Sequence, residues 1–170
     1  MRIYLIILSG AMLLAGCGER PPTTDQLAGK AARAMFDHDY AEARRLIEQV
    51  VAAEPDVPAH RITFAHAALR LDQNEVAKIQ YEAALKLVEK SSATDPGAVD
   101  DQVMLLVCLN RRDEARKVIE EAAARFPDSQ EVQLLAEDTD RTLESWEEWQ
   151  LPDESANPEP GEAPEPADAP

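Results

Sequence analysis

The chain has 170 residues, with 33 acidic against 17 basic side chains and a formal net charge of −16. That length supports one domain with a real core. The charge argues against a nucleic acid or an anionic lipid surface as a partner held through a basic patch.

At the start of the chain, Arg2 precedes an almost wholly apolar run from Ile3 to Ala15, interrupted only by Ser9 and Gly10. The run is too short to span a bilayer, which takes ~20 apolar residues, and suits the hydrophobic core of a signal peptide. Leu14-Ala15-Gly16-Cys17 resembles the lipobox of bacterial lipoproteins: an aliphatic residue, a small residue, Gly or Ala, and Cys. The resemblance implies a signal peptide over 1–16, cleavage before Cys17, a diacylglycerol on its thiol and an acyl chain on the new amino group. More than one acyl chain, at about 0.8 kcal/mol per buried methylene, makes a stable membrane anchor. Residues 17–23 are then a lipidated tether. Position two of the mature chain is Gly18, not the Asp that retains enterobacterial lipoproteins at the inner membrane, which implies the periplasmic face of an outer membrane. With Cys17 lipidated, Cys108 lacks a disulfide partner and reads as a small buried hydrophobe.

The middle of the chain is poor in strand signals and rich in alanine, leucine, glutamate and arginine, as helices are. Three segments align: "HDYAEARRLIEQVVAAEPD" from His38, "DQNEVAKIQYEAALKLVEK" from Asp72 and "NRRDEARKVIEEAAARFPD" from Asn110. Their equivalent alanines, Ala43, Ala77 and Ala115, are 34 and then 38 residues apart. Ile47, Tyr81 and Ile119 follow four residues later, then Val50, Ala84 and Ala122, all on one helical face. Pro55 and Pro127 end the first and third segments.

This pattern resembles the tetratricopeptide repeat, a 34-residue helix-turn-helix whose second helix carries small, bulky, small and proline positions at those spacings. The resemblance implies an all-α helix-turn-helix solenoid over residues 24–149, with repeats at about 24–57, 58–95 and 96–127. The first helices lack the family's Trp and Leu-Gly, though Leu27 with Ala31, and Phe64 with Ala65, can supply the bulky and small contacts. Four extra residues around "KSSATDPG" imply a longer helix or loop before the third repeat.

Cap chemistry marks the ends: Thr23 with Gln26 makes a capping box, Asp95 precedes Pro96 at a first helical position, and Asp128 precedes Glu131. A terminal helix is expected to cover the last repeat. Ser129 to Trp149 supplies one, with Val132, Leu135, Thr139 and Leu143 at helical spacing and Trp146 and Trp149 near one face. Aromatic residues so spaced are expected to pack on the preceding repeat; the alternative is a docking element for a partner, or for lipid headgroups, which the surrounding acids disfavour. The stretch 150–170 has six prolines, six acids and no base from Pro152 onward, and reads as a disordered, partly polyproline-II tail.

Chemistry-bearing constellations are sparse. His60 and His66 miss the i, i+4 spacing of a helical metal pair, and His38 falls in a turn, so no metal site is expected. Cys108 has no base in "LLVCLN" to make it a nucleophile, no phosphate-binding glycine loop exists, and Asp100-Asp101 and Glu147-Glu148 read as solvated faces. No catalytic residue and no cofactor are expected beyond the acyl chains on Cys17.

The family binds extended peptides or helices on the surface lined by the first helix of each repeat. Carried over residue by residue, this implies a groove of Ala28, Ala32 and Met35, then Ile62, His66 and Leu69, then Asp100, Met104 and Val107. Ala28 and Ala32 stand where chaperone-binding relatives have the Lys and Asn of a carboxylate clamp, so recognition of a chaperone terminus is not implied. An apolar groove with methionines suits an amphipathic helix or hydrophobic peptide. The expectation is a non-catalytic, lipid-anchored adaptor for an envelope protein or peptide. Two other readings stay open: an accessory subunit of a membrane enzyme or cytochrome-maturation complex, whose client touches His66 or Cys108, and a homo-oligomer whose groove receives its own tail or terminal helix.

Overall fold

A computed structural model describes residues 21–152. The segments expected to be a signal peptide and lipidated tether, Cys17 included, lie outside the described residues up to residue 20, as does the expected tail beyond Pro152. Among those described, the fold is all-α, with eight α-helices and no strand. The order is α1 (Thr24–Phe36), α2 (Tyr40–Ala53), α3 (Pro58–Leu69), α4 (Asn74–Ser92), α5 (Ala98–Cys108), α6 (Arg112–Arg125), α7 (Gln130–Glu137) and α8 (Thr139–Glu144), then a 3-10 turn, Glu147–Trp149. Successive helices pack on one another, so α1–α2, α3–α4 and α5–α6 are hairpins stacked in sequence.

Each hairpin reverses in the same way. His38, Asp72 and Asn110 hold positive φ values of 60°, 57° and 62°, at the 34- and 38-residue spacing of the repeated segments. In each, the next residue's N–H donates back five residues, from Asp39 to the Ala34 carbonyl, Gln73 to Ala68 and Arg111 to Leu106. The left-handed residue itself donates three back, to Met35, Leu69 and Val107. This is the Schellman pattern, which satisfies the last carbonyls of the first helix. The left-handed backbone explains His, Asp and Asn there, because short polar side chains tolerate it best after glycine.

All nine repeat positions of the second helices are buried. Ala43, Ala77 and Ala115 are fully enclosed, Ile47, Tyr81 and Ile119 lie at most 1% exposed, and Val50, Ala84 and Ala122 at most 2%. Ala31 and Ala65 on the first helices are fully buried too, and Phe64 nearly so. Pro55 and Pro127 terminate their helices alike: Glu54 and Phe126, each preceding a proline, leave the helical region at φ −129° and −121°. The extra residues before the third hairpin lengthen α4, which runs 19 residues against 14 for α2 and α6.

Three boundaries differ from expectation. The Thr23–Gln26 capping box is present, but Pro96 precedes the helix: α5 starts at Ala98 after Gly97, whose N–H donates to the Asp95 carboxylate. Ser129, not Asp128, caps α7, accepting from the Val132 N–H. The single helix expected over 129–149 is three pieces. Asp138 leaves the helical region at φ −135°, and its carboxylate accepts the Arg141 N–H to start α8 afresh. Val132 and Leu143 still reach the core, fully buried, from either side of that break.

The left-handed turns make a direct test. In Asp72→Gly the αL strain is relieved, and stability rises by about 0.5 kcal/mol. In Asp72→Val a β-branched side chain is forced into that backbone, and stability falls by about 1–2 kcal/mol. Urea melts of both variants measure the difference, and equal midpoints would contradict the account of the turn.

Candidate functional site

The first helices of the hairpins do not form one open groove, because the end of the chain lies across part of it. After α8 the backbone turns, and the Leu151 N–H donates to the Cys108 carbonyl at 2.9 Å. Tyr81, the large residue at a position where the other repeats have isoleucine, donates its hydroxyl to the Trp149 carbonyl at 3.2 Å. The Trp149 ring stacks on His66, with centroids 4.1 Å apart and planes 23° from parallel, and the Arg70 guanidinium lies 4.3 Å from its centroid. Arg70 also pairs with Glu148 at 3.2 Å, while Arg112 pairs with Glu147 and Arg116 with Asp140. The acids of this C-terminal hook thus meet arginines of the second and third hairpins.

What remains open is a cleft of about 720 Å³ between α1, α3 and the hook. Its walls include Ala32, Met35 and Phe36 from α1, Tyr40 from the start of α2, His66 from α3 and Trp149. Phe36 is 77% exposed, which leaves an apolar ring at the mouth without a covering layer. At the rim, His38 Nδ1 and the Tyr40 hydroxyl share a 2.7 Å hydrogen bond.

His66 is a largely buried titratable group in this wall. Burial, helped by the positive charge of Arg70, pushes its pKa from 6.5 down to about 4, so the imidazole is neutral at pH 7. Its Nε2 is buried and has no hydrogen-bond partner within the fold. Tyr81 meets the same ring edge-on at 5.7 Å.

The expected groove residues therefore separate. Ala32, Met35 and His66 line the cleft. Ile62 and Leu69 are half-buried against the main core, and Ala28 packs against the core of the first hairpin. Met104 and Val107 are interior, 6% and 0% exposed, because α5 sits between α4, α6 and the hook and has little free surface. Asp100 lies on a separate, smaller cleft of about 490 Å³ beside Trp146 and Arg141. There burial, and then the carboxylates of Asp101 and Glu131, raise its pKa, so it is less of a solvated acid than its sequence suggests. Phe36, Tyr40, Arg70, Glu148 and Trp149 are cleft residues that the repeat register does not point to.

Cys108 is free and fully buried, and burial pushes its thiol up to about 12. That is the reverse of thiolate activation, and it removes Cys108 from any surface a client could touch. The histidines are dispersed: His38 lies at the rim, His60 beside Glu54 at 3.6 Å, and His66 in the wall. Among the described residues no group of three or more His, Cys, Asp or Glu is placed to hold a metal, and no helix is long and apolar enough to cross a membrane.

In comparison with known proteins, no family model, no curated protein and no solved structure matches this chain.

The His66 environment has a pH signature. The folded state binds the imidazole proton more weakly than the unfolded chain, so stability is lost as pH falls from 6.5 to about 4. Allowing for the ring's partial exposure, this amounts to about 2 kcal/mol. His66→Phe keeps a ring against Trp149 but cannot take the proton. Urea melts at pH 7 and pH 4.5 should show a smaller acid-induced loss in the variant, and equal losses would mean His66 does not titrate as described.

Proposed function

We propose that this protein is a lipid-anchored, non-catalytic adaptor of the tetratricopeptide type, which takes an apolar peptide segment of an envelope protein in the cleft between α1, α3 and the hook. The observation that carries this reading is the cleft's composition. A cavity of about 720 Å³ falls in the usual range for ligand sites. Ala32, Met35, Phe36 and Trp149 form its apolar wall, with the neutral His66 imidazole beside them and the paired Arg70 and Glu148 at one side. Apolar walls left open in this way fit an apolar side chain and its backbone better than a charged metabolite.

The tetratricopeptide reading is supported by the triple recurrence of the Schellman turn at the 34- and 38-residue spacing, and by nine buried repeat positions. The anchor reading rests on Leu14-Ala15-Gly16-Cys17, and Gly18 favours the periplasmic face of an outer membrane. α1 begins seven residues after Cys17. At no more than about 3.5 Å per residue, the tether keeps the cleft within a few tens of ångströms of the bilayer.

Both parts have direct tests. Expressed in a Gram-negative host fed an alkyne-tagged palmitate, the chain is expected to take up label and fractionate with membranes, and Cys17→Ser to do neither. Label retained in Cys17→Ser would remove the anchor. For the cleft, Ala32→Glu puts a charge on an exposed helix position without touching the core. It is expected to lower affinity for apolar peptides, screened as a synthetic panel, at least tenfold, about 1.4 kcal/mol, with an unchanged circular dichroism spectrum. Unchanged affinities would move the binding surface elsewhere.

A further inference from the structure

We propose that the cleft is occupied in cis by the chain's own proline-rich stretch from Pro152 onward, which a client peptide must displace. This deepens, and rests on, the peptide-binding reading above.

Four observations converge. The first is ring chemistry. Phe36, Tyr40, His66 and Trp149 give the cleft aromatic walls, the kind of surface that takes proline rings of an extended peptide. The second is pattern. Pro158-Glu159-Pro160 and Pro164-Glu165-Pro166 repeat at a six-residue interval. In polyproline-II, with three residues per turn, six residues are two full turns, so both proline pairs present the same face, roughly 19 Å apart.

The third is position. Trp149 is itself a wall of the cleft, and the Leu151 N–H is tied to the Cys108 carbonyl. From Trp149 the chain runs past Asn110 and Cys108, so Pro152 follows the cleft wall by three residues, and Pro158 follows Pro152 by six, roughly 19 Å at the same rise. The fourth is charge. Residues 153–170 carry six acids and no base. Arg70 stands in the wall, and Arg33 lies 5.7 Å from the Phe36 ring. Each makes one described hydrogen bond, to Glu148 and to Asp37, of the five that a guanidinium can donate. Glu159 or Glu165 can be taken by the remaining donors.

Magnitudes decide between the chain's own tail and that of a second copy. A short linker holds its peptide at an effective concentration in the millimolar range, so even an intrinsic Kd of several hundred micromolar leaves the cleft largely filled in cis. A second copy at micromolar concentration cannot compete. The tail thus shields Phe36 and Met35 from nonspecific contact and sets a threshold that a client's affinity must exceed.

The test uses a fluorescein-labelled synthetic peptide of residues 152–170, followed by fluorescence anisotropy against the full chain in detergent micelles. A full-length variant with Pro158→Ala, Pro160→Ala, Pro164→Ala and Pro166→Ala frees the cleft without altering the folded helices. The variant is expected to bind the peptide at least tenfold more tightly than the unmodified chain, and adding Ala32→Glu to it to abolish binding. Equal affinity for the two chains, or binding indifferent to Ala32→Glu, overturns the proposal. So does a concentration-dependent dimer of the unmodified chain that the proline variant lacks, since the occupant is then a second copy. An apolar peptide panel separates this failure from that of the adaptor reading. Panel peptides bound equally by both chains and lost with Ala32→Glu leave the adaptor reading standing and sink the cis tail; no panel peptide bound by either chain sinks both.

Discussion

A single backbone residue held in the left-handed region sets the geometry of each hairpin. His38, Asp72 and Asn110 let the chain reverse in three or four residues, and so lay the second helix of each pair directly against the first. Once that turn is fixed, the alanine five residues on always lands at the helix crossing, where Ala43, Ala77 and Ala115 have no exposed surface. A larger side chain there would push the helices apart, and overpacking a filled core costs about 1–3 kcal/mol. Turn and small residue therefore act together: the first aims the helix and the second permits its approach.

The middle hairpin departs from this regularity, and the departure shapes the cleft. Tyr81 replaces isoleucine, and its extra reach ends at the Trp149 carbonyl, 68 residues away in sequence. A purely repetitive array has contacts only between neighbouring repeats. Here the C-terminal hook contacts the third hairpin and also reaches beyond it, to His66 and Arg70 on the second. The exposed ion pairs at Arg70, Arg112 and Arg116 are each worth no more than about 1 kcal/mol. Their contribution is direction: in a chain with a net charge of −16, the arginines mark where acids of the hook can settle.

Legibility in the sequence follows the range of the interaction. The repeat positions were readable because they recur at fixed spacing and face one way. The Thr23–Gln26 box was readable because it needs four consecutive residues. The break at Asp138 was legible in "EDTDRT", whose aspartate can cap a new helix through the Arg141 N–H, but the helical spacing of Val132, Leu135, Thr139 and Leu143 concealed it. Groove residues were only half legible. The register puts Met104 and Val107 on the same helix face as Met35, but whether that face is open depends on Trp149, 45 and 42 residues downstream of them. No local pattern connects Trp149 to His66, since that pairing comes from stacking and the depth of the hook.

Occupancy of the groove's C-terminal part by the chain itself bears on what the proposed adaptor can do. The apolar part of the site, Ala32, Met35, Phe36 and Trp149, is about one peptide segment wide, and its polar groups, such as Tyr40, Arg70 and Glu148, lie around it. Such a surface is expected to bind with modest affinity and broad selectivity, because apolar contact is not directional. The proposed anchoring would compensate for this. A cleft tethered near a membrane meets membrane-bound clients at a raised local concentration, so weak contacts suffice for stable association while individual segments still exchange. Within the proposed function, then, the anchor supplies the occupancy that the cleft's chemistry alone does not.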